Sequence, residues 1–263
     1  MAKDFLTKIV EHKKEEVAAA KNRLPETRLR EQVDVKQTRR PFINKLIKPG
    51  PSGVNIIAEI KRASPSKGVI CRDLDPAVYA LKYEQGKAAA LSVLTDQPFF
   101  QGSINDLKTA REVTALPVLR KDFLISSYQI YESRVIGADA VLLIVRILSR
   151  QQLRDYLHLC DEINIDALVE IHSEKDIETA VWAGAELIGI NNRNLSTFKT
   201  DIKTAARMAS LLEPCQTAVA ASGIKTRDDI ERLQDSGIWN FLIGESIVRA
   251  KNPTSFLNSL IGF

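Results

Sequence analysis

Eight short apolar runs, each followed by a stretch long enough for a helix, constrain this chain more than any other feature. They cover residues 56–60, 89–94, 117–119, 140–145, 167–171, 187–190, 218–221 and 241–243. Each run is nearly continuous in Val, Ile, Leu and Ala, the pattern of parallel strands covered on both faces rather than half-exposed ones. The intervening segments carry helix-start signals, such as Asp75-Pro76 and Ser149, where a short oxygen-bearing side chain can satisfy the first free N–H groups. Gly86, Gly137, Gly184 and Gly237 fall between a helix and the next run, where a left-handed helix cap suits glycine. Eight strand-helix units in 263 residues predict an α/β protein, a single (β/α)₈ TIM-barrel domain over 1–263. An open doubly wound sheet is the alternative. Phe5, Ile9, Val10 and Val17 recur among charges, predicting an amphipathic helix over 4–22 that ends near Pro25, with a second helical stretch around Leu46. Residues 1–48 are therefore expected to be an N-terminal helical extension capping one end of the barrel.

Composition narrows the class. The 37 basic and 33 acidic residues are spread along the chain for a net charge of +4, which hints at anionic ligands and gives no footprint for nucleic acid. The opening charges, among them Lys3, Asp4, Lys8 and Glu11, are not those of a signal peptide. The longest apolar stretch, 140–145, is far short of the ~20 residues needed to cross a bilayer. Cys71, Cys160 and Cys215 are widely spaced, with no metal-ligand spacing around them, and are expected to be reduced packing residues. A cytoplasmic protein, monomeric or weakly homo-oligomeric, with a small-molecule partner and no membrane or nucleic-acid partner, is expected.

In such a barrel the residues ending each strand face the site. In Ile57-Ala58-Glu59-Ile60-Lys61 the two-residue period puts Glu59 and Lys61 on one face. Lys121 ends the third run in phase with Leu119, Glu170 the fifth in phase with Leu168, and Asn191 the sixth in phase with Gly189. Each alone could be a structural ion pair or a solvated loop charge. Together, four strands converge two carboxylates, two amines and an amide. Ala221-Ser222-Gly223 and Ile243-Gly244-Glu245 both pass from strand into a glycine turn, where small residues let backbone N–H groups close on an anion, turn geometry being the plainer explanation. Ser64-Pro65-Ser66-Lys67-Gly68 adds hydroxyls and an amine, or is only a flexible lid. His12 and His158 fall on helices, and His172 is expected out of phase with Glu170, in a core or loop role. No Ser-His-Asp set and no metal cluster can be assembled, so the chemistry falls to Glu and Lys.

The run from Ile57 through Lys61-Arg62-Ala63-Ser64-Pro65-Ser66-Lys67-Gly68 resembles the motif of the indole-3-glycerol phosphate synthase family. The resemblance continues through Leu119-Arg120-Lys121-Asp122-Phe123, Leu168-Val169-Glu170-Ile171-His172, Ile188-Gly189-Ile190-Asn191-Asn192-Arg193-Asn194-Leu195 and Ser222-Gly223-Ile224, spanning the chain from about residue 4 to its end. It implies a lyase of tryptophan biosynthesis that closes, decarboxylates and dehydrates 1-(2-carboxyphenylamino)-1-deoxyribulose 5-phosphate without a cofactor or metal. By resemblance Lys121 is the general acid, Lys61 holds the substrate carboxylate or shares that role, and Glu59 and Glu170 are acid/base groups for the dehydration. Asn191 orients the substrate. Phe100, Phe123 and Leu142 would receive the aromatic ring, and the N–H groups of Ser222, Gly223, Gly244 and Glu245 the phosphate, with Ser64 nearby.

Two positions depart from the family pattern. A glutamate is usual just before Ser222-Gly223, where this chain has Ala221, so a carboxylate to contact the substrate and balance Arg193 is missing. Glu245 stands where a small residue is favoured, and its N–H can serve only if its side chain points away. Competing readings are a family barrel with reduced or altered activity because of Ala221, another phosphate-binding barrel enzyme, and a barrel that binds without turnover.

Overall fold

Alternate residues along eight short strands sort into two separate cores. The computed structural model describes residues 5–34, 39–194 and 197–262. Lys3, Asp4 and Leu195, used in the sequence reading, lie outside the described residues. The barrel strands are β1 (Asn55–Ile60), β2 (Ala90–Leu94), β3 (Val118–Lys121), β4 (Ala140–Ile144), β5 (Asp166–Ile171), β6 (Leu187–Asn191), β7 (Thr217–Ala221) and β8 (Asn240–Ile243), and Ala63–Ser64 pairs antiparallel with Gly68–Val69 in the loop after β1. All eight barrel strands pair in parallel with their sequence neighbours, and β1 pairs with both β2 and β8, closing the barrel. The predicted eightfold barrel is thus found, each predicted run matching one strand to within one residue at its overhanging end.

Inward-facing Ile57, Ala90, Leu119, Ala140, Leu142, Leu168, Val219 and Leu242 fill the barrel. Their neighbours one residue away face the helices, as with Ile56, Leu91, Val141 and Val169. The helices are α1 (Phe5–Arg23), α2 (Glu26–Gln32), α3 (Pro76–Gln85), α4 (Gln97–Phe100), α5 (Ile104–Val113), α6 (Ser127–Val135), α7 (Arg150–Glu162), α8 (Glu174–Ala183), α9 (Lys203–Ala209), α10 (Arg227–Gln234), α11 (Glu245–Val248) and α12 (Pro253–Ile261). Asp75 caps α3 and Ser149 closes a capping box on α7, as their positions suggested.

The N-terminal extension reaches both ends of the barrel. At one end, α1 borders the mouth with Phe5, Leu6 and Ile9. At the other, Phe42 and Leu46 are fully buried among the inward-facing barrel residues. The turn that carries them is pinned by Arg39 to Asp166, by the Ile43 N–H to Asp166 at 3.0 Å, and by the Arg40 N–H to Asp139 at 2.8 Å.

Three local expectations need correction. The helical stretch around Leu46 is a single 3₁₀ turn, Ile43–Lys45, because Pro49-Gly50-Pro51 follows too closely for a longer helix. Gly86 has φ −76°; the left-handed residue there is Lys87, at φ 61°. A Cβ at Gly86 would meet Leu257 at 2.8 Å, so close packing against α12, not backbone conformation, is what calls for glycine. Cys160 is buried, but Cys215 is exposed and so is no packing residue.

Candidate active site

The inward phases of β1, β3, β5 and β6 end in polar groups, and those ends surround one cavity of about 510 Å³. Along β1 the phase is Ile57, Glu59 and then Lys61, whose Nζ lies 2.5 Å from Glu59 Oε1. On β3 it is Leu119 then Lys121, and on β5 Leu168 then Glu170. Lys121 Nζ stands 3.4 Å from Glu170 Oε2. Asn191 ends β6 and donates through Nδ2 to Glu170 Oε1 at 3.2 Å. The five predicted polar groups all line this cavity.

Their charge states follow from these contacts. Burial alone would raise the Glu170 carboxyl, but Lys121, His172 and Asn191 more than offset it and hold it well below the usual carboxylate range. Burial alone would lower Lys121, yet Glu170 and Glu59 keep its ammonium above the ordinary lysine range. The site therefore presents a charged amine and carboxylate side by side at neutral pH.

The apolar wall is equally defined. Phe100 and Phe123 have ring centroids 6.0 Å apart, and Leu142 lines the same cavity. Opposite them, Ser222 and Gly223 take left-handed conformations, φ 69° and 85°. Gly244 precedes α11, and a Cβ there would fall 2.6 Å from Glu59 Oε1. Glycine at 244 is what lets the turn after β8 approach the carboxylate of β1. Ser64 is buried beside the cavity, and its hydroxyl has no partner among the described residues.

At the mouth, the Arg193 guanidinium donates to Ser66 Oγ at 2.6 Å and lies 4.0 Å from Glu245 Oε2. Glu245 also meets Arg249 at 3.3 Å. Its side chain does not turn from the mouth, as the sequence reading required, but settles between two guanidinium groups. Ala221 pairs in register with Asn191 and lines the cavity.

His172 corrects a sequence expectation. Residues two apart on a strand share a face, and the ring at 172 lies against Glu170, with Nε2 3.3 Å from Oε1. His12 and His158 are exposed, as expected. Sequence reasoning also missed Lys13, buried on α1 against Asp122, and Phe198, whose ring stacks edge-on to Phe5 at 5.7 Å beside the cavity. Phe198 follows no periodic pattern that could have marked it. Among the described residues no cluster of three metal-ligating side chains exists, nor any helix long and apolar enough to cross a membrane.

Ionisable groups gathered on the C-terminal ends of a closed parallel barrel define the class, a (β/α)₈-barrel enzyme. Solved structures share the fold: 3-hexulose-6-phosphate synthase aligns with a TM-score of 0.63 at 12% identity, over 79% of this chain and 98% of that one. Thiamine phosphate pyrophosphorylase from Pyrococcus furiosus gives 0.58 at 14% identity, over 84% and 96%. Relatives are far more similar. The indole-3-glycerol phosphate synthase of Desulfosudis oleivorans is 57% identical over 259 residues, 98% of each chain. That of Syntrophobacter fumaroxidans is 52% identical over the same share. The family model for indole-3-glycerol phosphate synthase matches residues 6–260. The chain belongs to the indole-3-glycerol phosphate synthase family, and is a carboxy-lyase of tryptophan biosynthesis.

Proposed function

We propose that Lys121 is the general acid that starts ring closure in this chain, with the remaining groups disposed around it. The observation that carries the reading is the Lys121–Glu170 pair facing Glu59 and Lys61 across one cavity with a phenylalanine wall on its side. The substrate, 1-(2-carboxyphenylamino)-1-deoxyribulose 5-phosphate, lies with its ring against Phe100, Phe123 and Leu142. Its phosphate is held by the N–H groups of Ser222, Gly223 and Gly244, with the free hydroxyl of Ser64 in reach.

The ring carbon bearing the carboxylate attacks the ketone carbon, and the carbonyl oxygen gains negative charge. Lys121 stabilises that charge and donates its proton, because an alkoxide is the stronger base even against an ammonium held charged by Glu170. Lys61 neutralises the substrate carboxylate until it leaves as CO₂ and the ring regains aromaticity. The new hydroxyl then departs as water: one carboxyl of the Glu59/Glu170 pair protonates it as the other takes the proton lost in forming the indole double bond. Asn191, tied to Glu170, orients the substrate. The balance is one substrate to one indole-3-glycerol phosphate, one CO₂ and one water. The reading carries with it a cytoplasmic setting and a chain acting as a monomer or weak homo-oligomer.

Lys121→Ala should lower kcat about 10²-fold or more, the usual scale for an acid/base group, as followed by the fluorescence of the indole product. Lys61→Ala should act more through KM. A Lys121→Ala enzyme retaining most of its kcat would remove Lys121 from the acid role.

A further inference from the structure

Lys13 occupies the centre of the buried stripe of α1, in phase with Ile9 and Val17, and is fully shielded from solvent. A buried ammonium persists only when paired. This one meets Asp122 at 2.8 Å, Glu16 at 2.9 Å and Asp96 at 3.1 Å. Although burial opposes its charge, Asp122 and Asp96 hold it protonated, above the ordinary lysine range.

Each buried partner has a second task. Asp96 caps α4 by accepting from the Phe99 N–H at 2.9 Å, and α4 carries Phe100. Asp122 directly follows Lys121 on the chain; it accepts from the Phe123 N–H at 2.8 Å and from Thr95 Oγ1 at 2.6 Å. One ammonium therefore ties together three segments that each place a side chain in the cavity: α1 through Ile9, α4 through Phe100, and the end of β3 through Phe123.

We propose that Lys13 is the positioning residue of the aromatic end of the site, setting the spacing between α1, Phe100 and Phe123 that receives the substrate's ring. The proposal rests on the reading that these phenylalanines hold that ring. Without the ammonium, Asp122 keeps Arg120 at 3.3 Å but Asp96 loses the cation that joins it to Asp122, so α4 and the end of β3 move apart or admit water, and the aromatic clamp loosens. The reacting groups are supported separately, since Lys121 is held from the other side by Glu170.

The test separates the two ends of the substrate. For Lys13→Met, assayed well below its melting temperature, KM should rise about tenfold or more while kcat stays within about threefold, the signature of lost binding rather than lost chemistry. Affinity for 2-aminobenzoate, a probe of the ring site, should fall in parallel, and affinity for inorganic phosphate should hold. Lys13→Arg should restore part of the loss. If Lys13→Met does not fold, the double variant Lys13→Met, Asp96→Asn keeps the α4 cap and removes the stranded charge, and the same criteria apply. An unchanged KM, or equal loss of both probes, overturns the proposal. Phe100→Ala distinguishes the two layers of inference. If it leaves 2-aminobenzoate binding intact, the ring reading fails and takes this proposal with it; if it weakens binding and Lys13→Met does not, only the role of Lys13 fails.

Discussion

Ala221 and Glu245 show how one residue's absence is met by another's presence. The carboxylate that the family resemblance led one to expect before Ser222 is absent, yet Arg193 is not abandoned: Ser66 accepts from it, and the Glu245 carboxylate lies 4.0 Å away while also meeting Arg249. A pair at 4.0 Å shared between two guanidinium groups neutralises charge without fixing direction. A carboxylate at 221, on the inward phase of β7 beside Asn191, would hold Arg193 and the substrate from within the cavity instead of from its rim. Ala221→Glu should therefore raise kcat/KM while changing stability by no more than about a kilocalorie per mole, the scale of a partly exposed ion pair. Steady-state kinetics beside a thermal melt decide it. An unchanged or lower kcat/KM would mean that Glu245 already does what the missing carboxylate does elsewhere in the family. Gly244 makes a sharper case, because its missing Cβ is space that Glu59 occupies. Gly244→Ala should lower kcat about tenfold or more by displacing Glu59 from Lys61, on the usual scale of acid/base contributions. In a Glu59→Ala background the same change should cost little, and a double-mutant cycle that came out additive would show that the two residues act independently.

Elements differ in how plainly they announce themselves. The barrel strands were legible because burial on both faces leaves uninterrupted apolar runs, and the site was legible because a charge closing such a run has nowhere to go but the mouth. Glu59, Lys61, Lys121, Glu170 and Asn191 were all found in this way, and the structure brings all five to one cavity. The helices were less plain. Alpha-helix α2, of seven residues, buries only Leu29, too little for a periodic signal. In α1 the stripe runs Leu6, Ile9, Lys13, Val17, and a lysine in its third place reads as a break although it is a continuation. The signal was there as a charge at core phase between Ile9 and Val17, but its meaning depends on Asp96 and Asp122, more than eighty residues away, which no local pattern links to it. His172 was misjudged by a phase error. Loop residues such as Ser66 and Phe198 obey no period at all and could be placed only by the fold.

At the scale of the whole molecule, the N-terminal extension belongs to the barrel at both ends. Lys13 ties α1 to the mouth, while Phe42 and Leu46 complete the packing of the floor, where the Trp239 indole donates to the Leu46 carbonyl at 2.9 Å and Asn240 Nδ2 donates to the same oxygen at 3.0 Å. A segment so joined should not unfold alone, because releasing it would expose the apolar floor and strand Asp166 and Asp139 without their N-terminal donors. Residues 1–263 should thus behave as one cooperative unit rather than as a barrel with a detachable arm. Trp239 is placed to test this, since its environment includes the extension while far-UV circular dichroism is dominated by the barrel's own helices and strands. Urea transitions followed by tryptophan fluorescence and by circular dichroism should coincide in midpoint and slope, and Trp182→Phe, removing the half-exposed indole stacked on Arg150 and Arg154, should leave that coincidence intact. A fluorescence transition at lower urea, with the dichroism unchanged until later, would show that the extension releases first and that the floor contacts contribute little to holding the molecule together.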